Sequence, residues 1–243
     1  MSSPQLPLGL RFPPDQRLRT YRDAPAGLLA VLASLAAGAQ GDGVFLSGPA
    51  ASGKSHLLLG CCAEAGAQGA PVRAVREGAG RGEAVYLPLR VFGARAAEAL
   101  ANQGAVPLAC VDDVEAIAGD RAAEVALFDL HNRVRDGGGS LLYAADATPQ
   151  RLSLVLPDLR SRLAQCTQFT LSVPDEAQRR AILAERAAAR GLELDEAVLD
   201  YVFRRVGRDL GTLTALLDRL DRESLAAQRR ITVPFLRQAL GID

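Results

Sequence analysis

The chain has 243 residues, with 28 basic and 28 acidic side chains and a net charge of zero. That length suits one large domain, or a medium domain with a small one, and the balanced charge exerts no bulk pull toward nucleic acid or an anionic membrane. No stretch approaches the roughly 18 apolar residues of a membrane span. Two histidines, His56 and His131, are too few for a metal centre, and four cysteines without CxxC spacing read as buried thiols of a protein in a reducing cytoplasm.

Residues 1–25 carry prolines at positions 4, 7, 13, 14 and 25 and sustain no period, which predicts an extended tail. Within it, Gln5-Leu-Pro-Leu-Gly-Leu10 presents one amide and the side chains of Leu6, Leu8 and Leu10 on a stiffened segment. Such a segment either fills a groove on another protein or lies against its own domain. A helix is expected over Leu28–Ala37 and a strand over Val44–Ser47. The octet Gly48-Pro-Ala-Ala-Ser-Gly-Lys-Ser55 follows, and His56-Leu-Leu-Leu59 opens a helix running to about Ala65.

A G-x-x-x-x-G-K-S octet between a strand and a helix fits a phosphate-binding loop. Its glycines let backbone N–H groups face an anion, and the helix start adds partial positive charge. Lys54 reaches outer phosphates and the Ser55 hydroxyl sits on Mg²⁺. Gly48, Pro49, Ala50, Ala51, Ser52, Gly53, Lys54, Ser55 and the adjoining His56 are therefore the candidate nucleotide-binding residues.

Gly66–Gly82 reads as a loop with a short strand at Val72–Val75, and Glu83–Pro88 as a strand ended by proline. A helix is expected over Gly93–Asn102, a buried strand over Val106–Val111, and a helix over Arg121–Arg135 with apolar residues at helical spacing. Gly137–Gly139 interrupts, and Ser140–Ala144 is a further strand. This alternation predicts a doubly wound α/β domain over 26–173, a parallel sheet flanked by helices. Beyond Pro174 only helices are expected, over 175–190, 195–206, 208–228 and 232–240. Asp175 and Thr232 would be N-caps and Gly191 and Gly207 stops, giving a small all-helical domain over 174–243.

Three further positions carry chemistry. Asp112 and Asp113 end the 106–111 strand. A carboxylate there holds Mg²⁺ (assigned to Asp112) and its neighbour orients an attacking water (assigned to Asp113); the plain alternative is an acidic strand terminus. Asp146, ending the next strand, faces the γ-phosphate or the water, or else opens the turn Asp146-Ala-Thr-Pro149. In Leu156-Pro-Asp-Leu-Arg-Ser-Arg-Leu163, Arg160 and Arg162 either project a guanidinium into a neighbour's phosphate site or are solvated surface.

With these parts in order, the sequence resembles the AAA+ ATPases, and within them the DnaA family of replication initiators and its shorter Hda-type regulators. The resemblance is carried by Gln5–Leu10, Val111–Asp120, Leu127–Arg133, Leu156–Leu163, Leu217–Arg222 and Ala227–Phe235. It implies a P-loop AAA+ domain followed by a helical lid, binding an adenine nucleotide with Mg²⁺. ADP is the ligand the resemblance favours, while the residues themselves suit ADP and ATP alike. Arg162 falls on the arginine-finger position, acting in trans on ATP held by the initiator DnaA; Arg160 has no such warrant. Gln5–Leu10 resembles the peptide by which such proteins bind the β sliding clamp of DNA polymerase III, so DNA is met only through the clamp. An initiator would continue into a helix-turn-helix domain, which a chain ending at Asp243 is expected to lack.

In the family a lid arginine touches the phosphates at the position where this chain has Gly211. Arg208, one turn earlier on the same face, is the candidate substitute or a surface residue. The expected function is cytoplasmic negative regulation of replication initiation by promoting hydrolysis of DnaA-bound ATP. The competing readings are an autonomous ATPase and an adaptor recruiting the initiator or helicase to DNA. A homo-oligomer is compatible with the AAA+ habit of placing nucleotide at subunit interfaces.

Overall fold

The computed structural model describes residues 16–39, 43–67, 72–74, 84–205, 212–213, 216–217, 219–220 and 232–240. The chain divides between Ser172 and Val173 into two compact units.

Among the described residues the first unit has six strands: β1 (Val44–Ser47), β2 (Val72–Ala74), β3 (Ala84–Pro88), β4 (Leu108–Asp112), β5 (Ser140–Ala145) and β6 (Thr167–Thr170). They lie in the order β2-β3-β4-β5-β1-β6, with every pairing parallel. Strands β1, β4 and β5 are buried along their whole length, as expected of parallel strands covered on both faces.

Alternation along each strand feeds two separate cores. Val44 and Leu46 of β1, Cys110 of β4 and Leu142 of β5 pack with α1 (Leu28–Ala36) and α2 (Lys54–Ala67) through Leu32, Leu57 and Cys61. Phe45, Val111 and Tyr143 point the other way, toward α4 (Ala96–Ala101), α5 (Arg121–Asp136) and α6 (Pro157–Gln165), where Leu100, Leu127, Leu130, Leu159 and Leu163 complete the second core. All four cysteines are buried and none forms a disulfide.

Four features differ from the sequence expectation. The helix expected over 93–102 begins earlier, because Pro88 both ends β3 and stands as N-cap of α3 (Leu89–Phe92); a 3₁₀ turn over Gly93–Arg95 then leads into α4. Strand β6 was not foreseen. Its Thr-Gln-Phe-Thr sequence is largely exposed and carries no apolar run, and it is held by pairing with β1. Helix α6 was not foreseen either; Pro157 stands in its first turn, where its missing N–H costs nothing. Finally, the expected tail docks from Gln16 onward. Leu18–Thr20 forms a 3₁₀ turn and Leu18 is buried, its backbone lying 2.9 Å from where a Cβ on Gly60 of α2 would stand.

The second unit contains α7 (Glu176–Ala189), α8 (Glu196–Arg205) and a C-terminal helix, Val233–Leu240. Asp175 caps α7 in a reciprocal box: Gln178 N donates to Asp175 Oδ1 at 2.8 Å, and Asp175 N donates to Gln178 Oε1 at 2.7 Å. Gly191, with φ 74°, turns the chain out of α7. Leu183, Val198, Val202, Phe203, Leu217 and Leu236 form this unit's own core. Of the helix expected over 208–228, residues 212–213, 216–217 and 219–220 are helical; the remainder, with Gly207, lies outside the described residues.

Candidate nucleotide-binding site

Strand β1 ends at Ser47, in register with Ala145 of β5, and Gly48 N donates to the Ala145 carbonyl at 3.2 Å. A Cβ on Gly48 would stand 2.6 Å from the Leu171 carbonyl oxygen and 2.9 Å from Ser52 Oγ, so the approach of β6's exit to the loop requires glycine. Gly53 has φ 89° and Ala51 φ 64°; the left-handed backbone at an alanine costs about 1 kcal/mol. The loop delivers Lys54 as the first residue of α2, and Lys54 Nζ donates to the carbonyls of Gly48 at 2.6 Å and Pro49 at 2.9 Å. The ammonium thus closes the same ring of backbone that would cradle a phosphate, at a helix N-terminus that favours negative charge.

Ser55 is exposed, and its hydroxyl favours the ionised form of the neighbouring Asp112 carboxyl. Asp112 is buried at the tip of β4. Its Oδ2 accepts from Tyr86 Oη at 2.8 Å and its Oδ1 from Asp113 N at 3.0 Å. Burial raises the carboxyl pKa, opposed by the Ser55 and Tyr86 hydrogen bonds. Tyr86 itself is pushed well above the ordinary phenol value, by burial first and by Asp112 second, so it remains a donor to that carboxylate.

Asp113 has a left-handed backbone, φ 57°, and Arg90 Nε lies 3.3 Å from its Oδ1. Arg90 Nη2 also meets Glu115 Oε1 at 2.6 Å, while Glu115 Oε2 accepts from Asp146 N at 3.2 Å. This chain of contacts joins the carboxyl ends of β3, β4 and β5. It borders a cleft of about 740 Å³ whose lining includes Gly48, Pro49, Glu115, Asp146, Arg151 and Thr170. The structure therefore gathers the loop, Ser55, Asp112, Asp113 and Asp146 at one edge of the sheet, the edge where open α/β sheets bind ligands.

His56 behaves differently from the rest of the candidate set. Its Nε2 lies 2.9 Å from the Arg17 carbonyl and 3.4 Å from Thr20 Oγ1, and its ring meets Tyr21 edge-on at 5.6 Å. The buried side chain is engaged by the 17–21 segment and not by the loop's concave side.

Arg162 lies on α6, and its charge is felt at His131 of α5: burial, then Arg135 and Arg162, lower the His131 pKa to about 4. It is not among the residues lining the cleft. Arg160 folds back, Nη2 donating to the Leu154 carbonyl. The start of α6 is held by Glu124 of α5, a fully buried carboxylate that accepts from Gly119 N at 2.8 Å, Val155 N at 2.9 Å and Leu156 N at 2.7 Å. Gln5, Leu6, Leu8, Leu10, Arg208 and Gly211 lie outside the described residues.

Tyr21, Tyr86, Arg90, Glu115 and Glu124 were missed by sequence reading. Glu115, three residues past Asp112, was within reach of it; the others are joined to the site only by tertiary contact. Among the described residues no group of three or more His, Cys, Asp or Glu could hold a metal alone. The Ser55 hydroxyl and the Asp112 carboxylate are the residues that would hold a Mg²⁺ shared with phosphates. No described helix is long and apolar enough to cross a membrane.

A parallel sheet of this order, with a glycine-rich loop and a strand-tip aspartate at its carboxyl edge, is a P-loop AAA+ fold, here followed by a helical lid. Residues 175–240 match the family described as "Hda, lid domain". The fold is similar to that of domain III of the Thermotoga maritima replication initiation protein DnaA, with a TM-score of 0.68 and 21% identity over 96% of this chain and 98% of that one. AMPPCP-bound DnaA from Aquifex aeolicus is similar at TM-score 0.62 and 19% identity, over 89% and 68%. The Thermotoga maritima RuvB Holliday junction branch migration motor is similar at TM-score 0.58 and 16% identity, over 95% and 73%. The chain thus has a DnaA-type fold, and its C-terminal residues match the Hda lid family.

Proposed function

We propose that this chain is a cytoplasmic, nucleotide-bound regulator of replication initiation that completes the ATPase site of a DnaA-type initiator. The observation that carries the reading is the placement of Arg162 on α6, outside the lining of the chain's own cleft and on a helix whose start is held by Glu124 through the backbone N–H groups of Val155 and Leu156. An arginine so placed serves another molecule's phosphates better than its own.

In this reading the amides of Gly48–Lys54 and the Lys54 ammonium bind the phosphates of an adenine nucleotide, ADP foremost. Ser55 and Asp112 hold Mg²⁺, which neutralises phosphate charge when bound. AMPPCP in the Aquifex aeolicus DnaA structure supports the adenine nucleotide for this fold. The bound nucleotide stabilises the docked surface, and Arg162 donates to the partner's phosphate oxygens where negative charge builds. A finger of this kind accelerates hydrolysis by roughly 10³-fold or more. Gln5, Leu6, Leu8 and Leu10 engage the β sliding clamp, bringing the chain to initiator near newly copied DNA.

The test is ATP hydrolysis by the initiator with clamp loaded on DNA, with wild-type chain or Arg162→Ala. Stimulation is expected to fall to the level without the chain; unchanged stimulation by the variant sinks the proposal. A second reading, an autonomous ATPase, is favoured by the Ser55 hydroxyl acting on the Asp112 carboxylate beside an intact loop. Against it, Asp113 is engaged by Arg90. Substantial turnover by the chain alone would decide for it.

A further inference from the structure

The cleft beside the first loop residues is acidic. Its lining carries two carboxylates, Glu115 and Asp146, against one guanidinium, Arg151. Glu115 has a side-chain exposure of only 15%, and both its oxygens are placed: Oε1 toward Arg90 and Oε2 on the backbone N–H of Asp146. Burial raises its pKa, with Asp146 and then Asp113 adding to the effect, the behaviour of neighbouring negative charges that resist one another. Arg90, 62% exposed, compensates from outside the cleft and is shared with Asp113. The Lys54 ammonium donates to the carbonyls of Gly48 and Pro49 and is not part of the cleft lining.

We propose that Glu115 sets the preference of this site between nucleoside diphosphates and triphosphates, its fixed carboxylate opposing the extra charge of a third phosphate. The inference rests on the nucleotide reading above and adds to it a residue and a direction. A diphosphate draws its affinity from the amides of Gly48–Lys54 and the α2 N-terminus, none of which depends on Glu115. A third phosphate adds charge to a loop whose first residues also wall the acidic cleft. One unit charge several Å away, at an effective dielectric of about 20 to 40, changes an affinity by roughly tenfold or more. Arg90 acts with the opposite sign, because removing it leaves Glu115 and Asp113 uncompensated.

The experiment is direct titration of the full chain with ADP and with ATP, in Mg²⁺, for wild type, Glu115→Gln and Arg90→Gln. Glu115→Gln should tighten ATP by about tenfold while ADP moves by less than about twofold. Arg90→Gln should weaken ATP relative to ADP. A defect of packing alone would move both nucleotides together and in one direction for both variants. Parallel shifts for ADP and ATP, or a ratio unchanged in either variant, overturn the proposal while leaving the nucleotide site intact. Binding of neither nucleotide by wild type overturns the underlying reading and this inference with it. Each variant reports the ratio on its own, so poor folding of one still leaves the other decisive.

Discussion

The hydroxyl of Tyr21 donates to the carbonyl of Ser52 across 2.8 Å, and its ring edge occupies the place that a side chain on Gly53 would need, 2.7 Å from the Cβ position. A residue from the segment read as a tail thus props the middle of the phosphate loop.

Tyr21→Phe keeps the ring and deletes the donor. It should cost about 1 kcal/mol of stability and weaken nucleotide binding severalfold, measured by denaturant unfolding and by titration. Unaltered nucleotide affinity would mean that the ring alone supports the loop. Burial, with Asp23 adding, pushes the Tyr21 pKa to about 12, so the donor survives past the pH at which an unfolded tyrosine ionises. The sign follows: this contribution is complete below about pH 10 and declines from there toward pH 12.

Glu124 predicts a larger effect. Its carboxylate is the acceptor for backbone N–H groups at Gly119, Val155 and Leu156. Glu124→Ala strands buried donors and should cost about 3 kcal/mol, whereas Glu124→Gln, which keeps one acceptor oxygen, should cost about half that. Urea unfolding measures both. Equal, small losses would show that water replaces the carboxylate.

His131 gives the acid limb of stability. Its Nδ1 lies 2.9 Å from Tyr143 Oη, and its neutral form is enforced by burial and by the positive charges of Arg135 and Arg162. The folded pKa of about 4 lies below the ordinary 6.5. Stability from this group is therefore present above pH 6.5 and is lost as pH falls toward 4, by up to about 3 kcal/mol. In His131→Gln the fall between pH 7 and pH 4.5 should be shallower by about 2 kcal/mol, read from urea midpoints at each pH; identical slopes would remove His131 from the account.

Much of this was legible in the sequence because the parts are contiguous. Gly48–Ser55 carries its strand and helix beside it, and Leu108–Asp113 announces a buried strand with an acidic tip. Asp175 with Gln178 declares a helix start through local chemistry alone. What escaped has a common physical origin in contacts made across the chain. Leu18 and Tyr21 look like tail residues until α2 and the loop are in place. Strand β6 has no apolar period of its own and exists because β1 offers it an edge. His56 follows the loop directly in sequence, yet the helical turn points its ring at Arg17 and Thr20. Arg90 and Glu115 belong to different strand ends and meet only once the sheet sets β3 beside β4.

The burial of every cysteine has a practical corollary. Cys61, Cys62 and Cys110 sit beneath α1 on one face of the sheet and Cys166 on the other. A water-borne thiol reagent therefore meets no sulfur until one of those layers separates. The protein carries its own gauge of opening, with sensors on both sides of the sheet. Alkylation followed residue by residue would time the release of each layer, and saturating nucleotide should slow the three thiols around the loop helix more than the fourth.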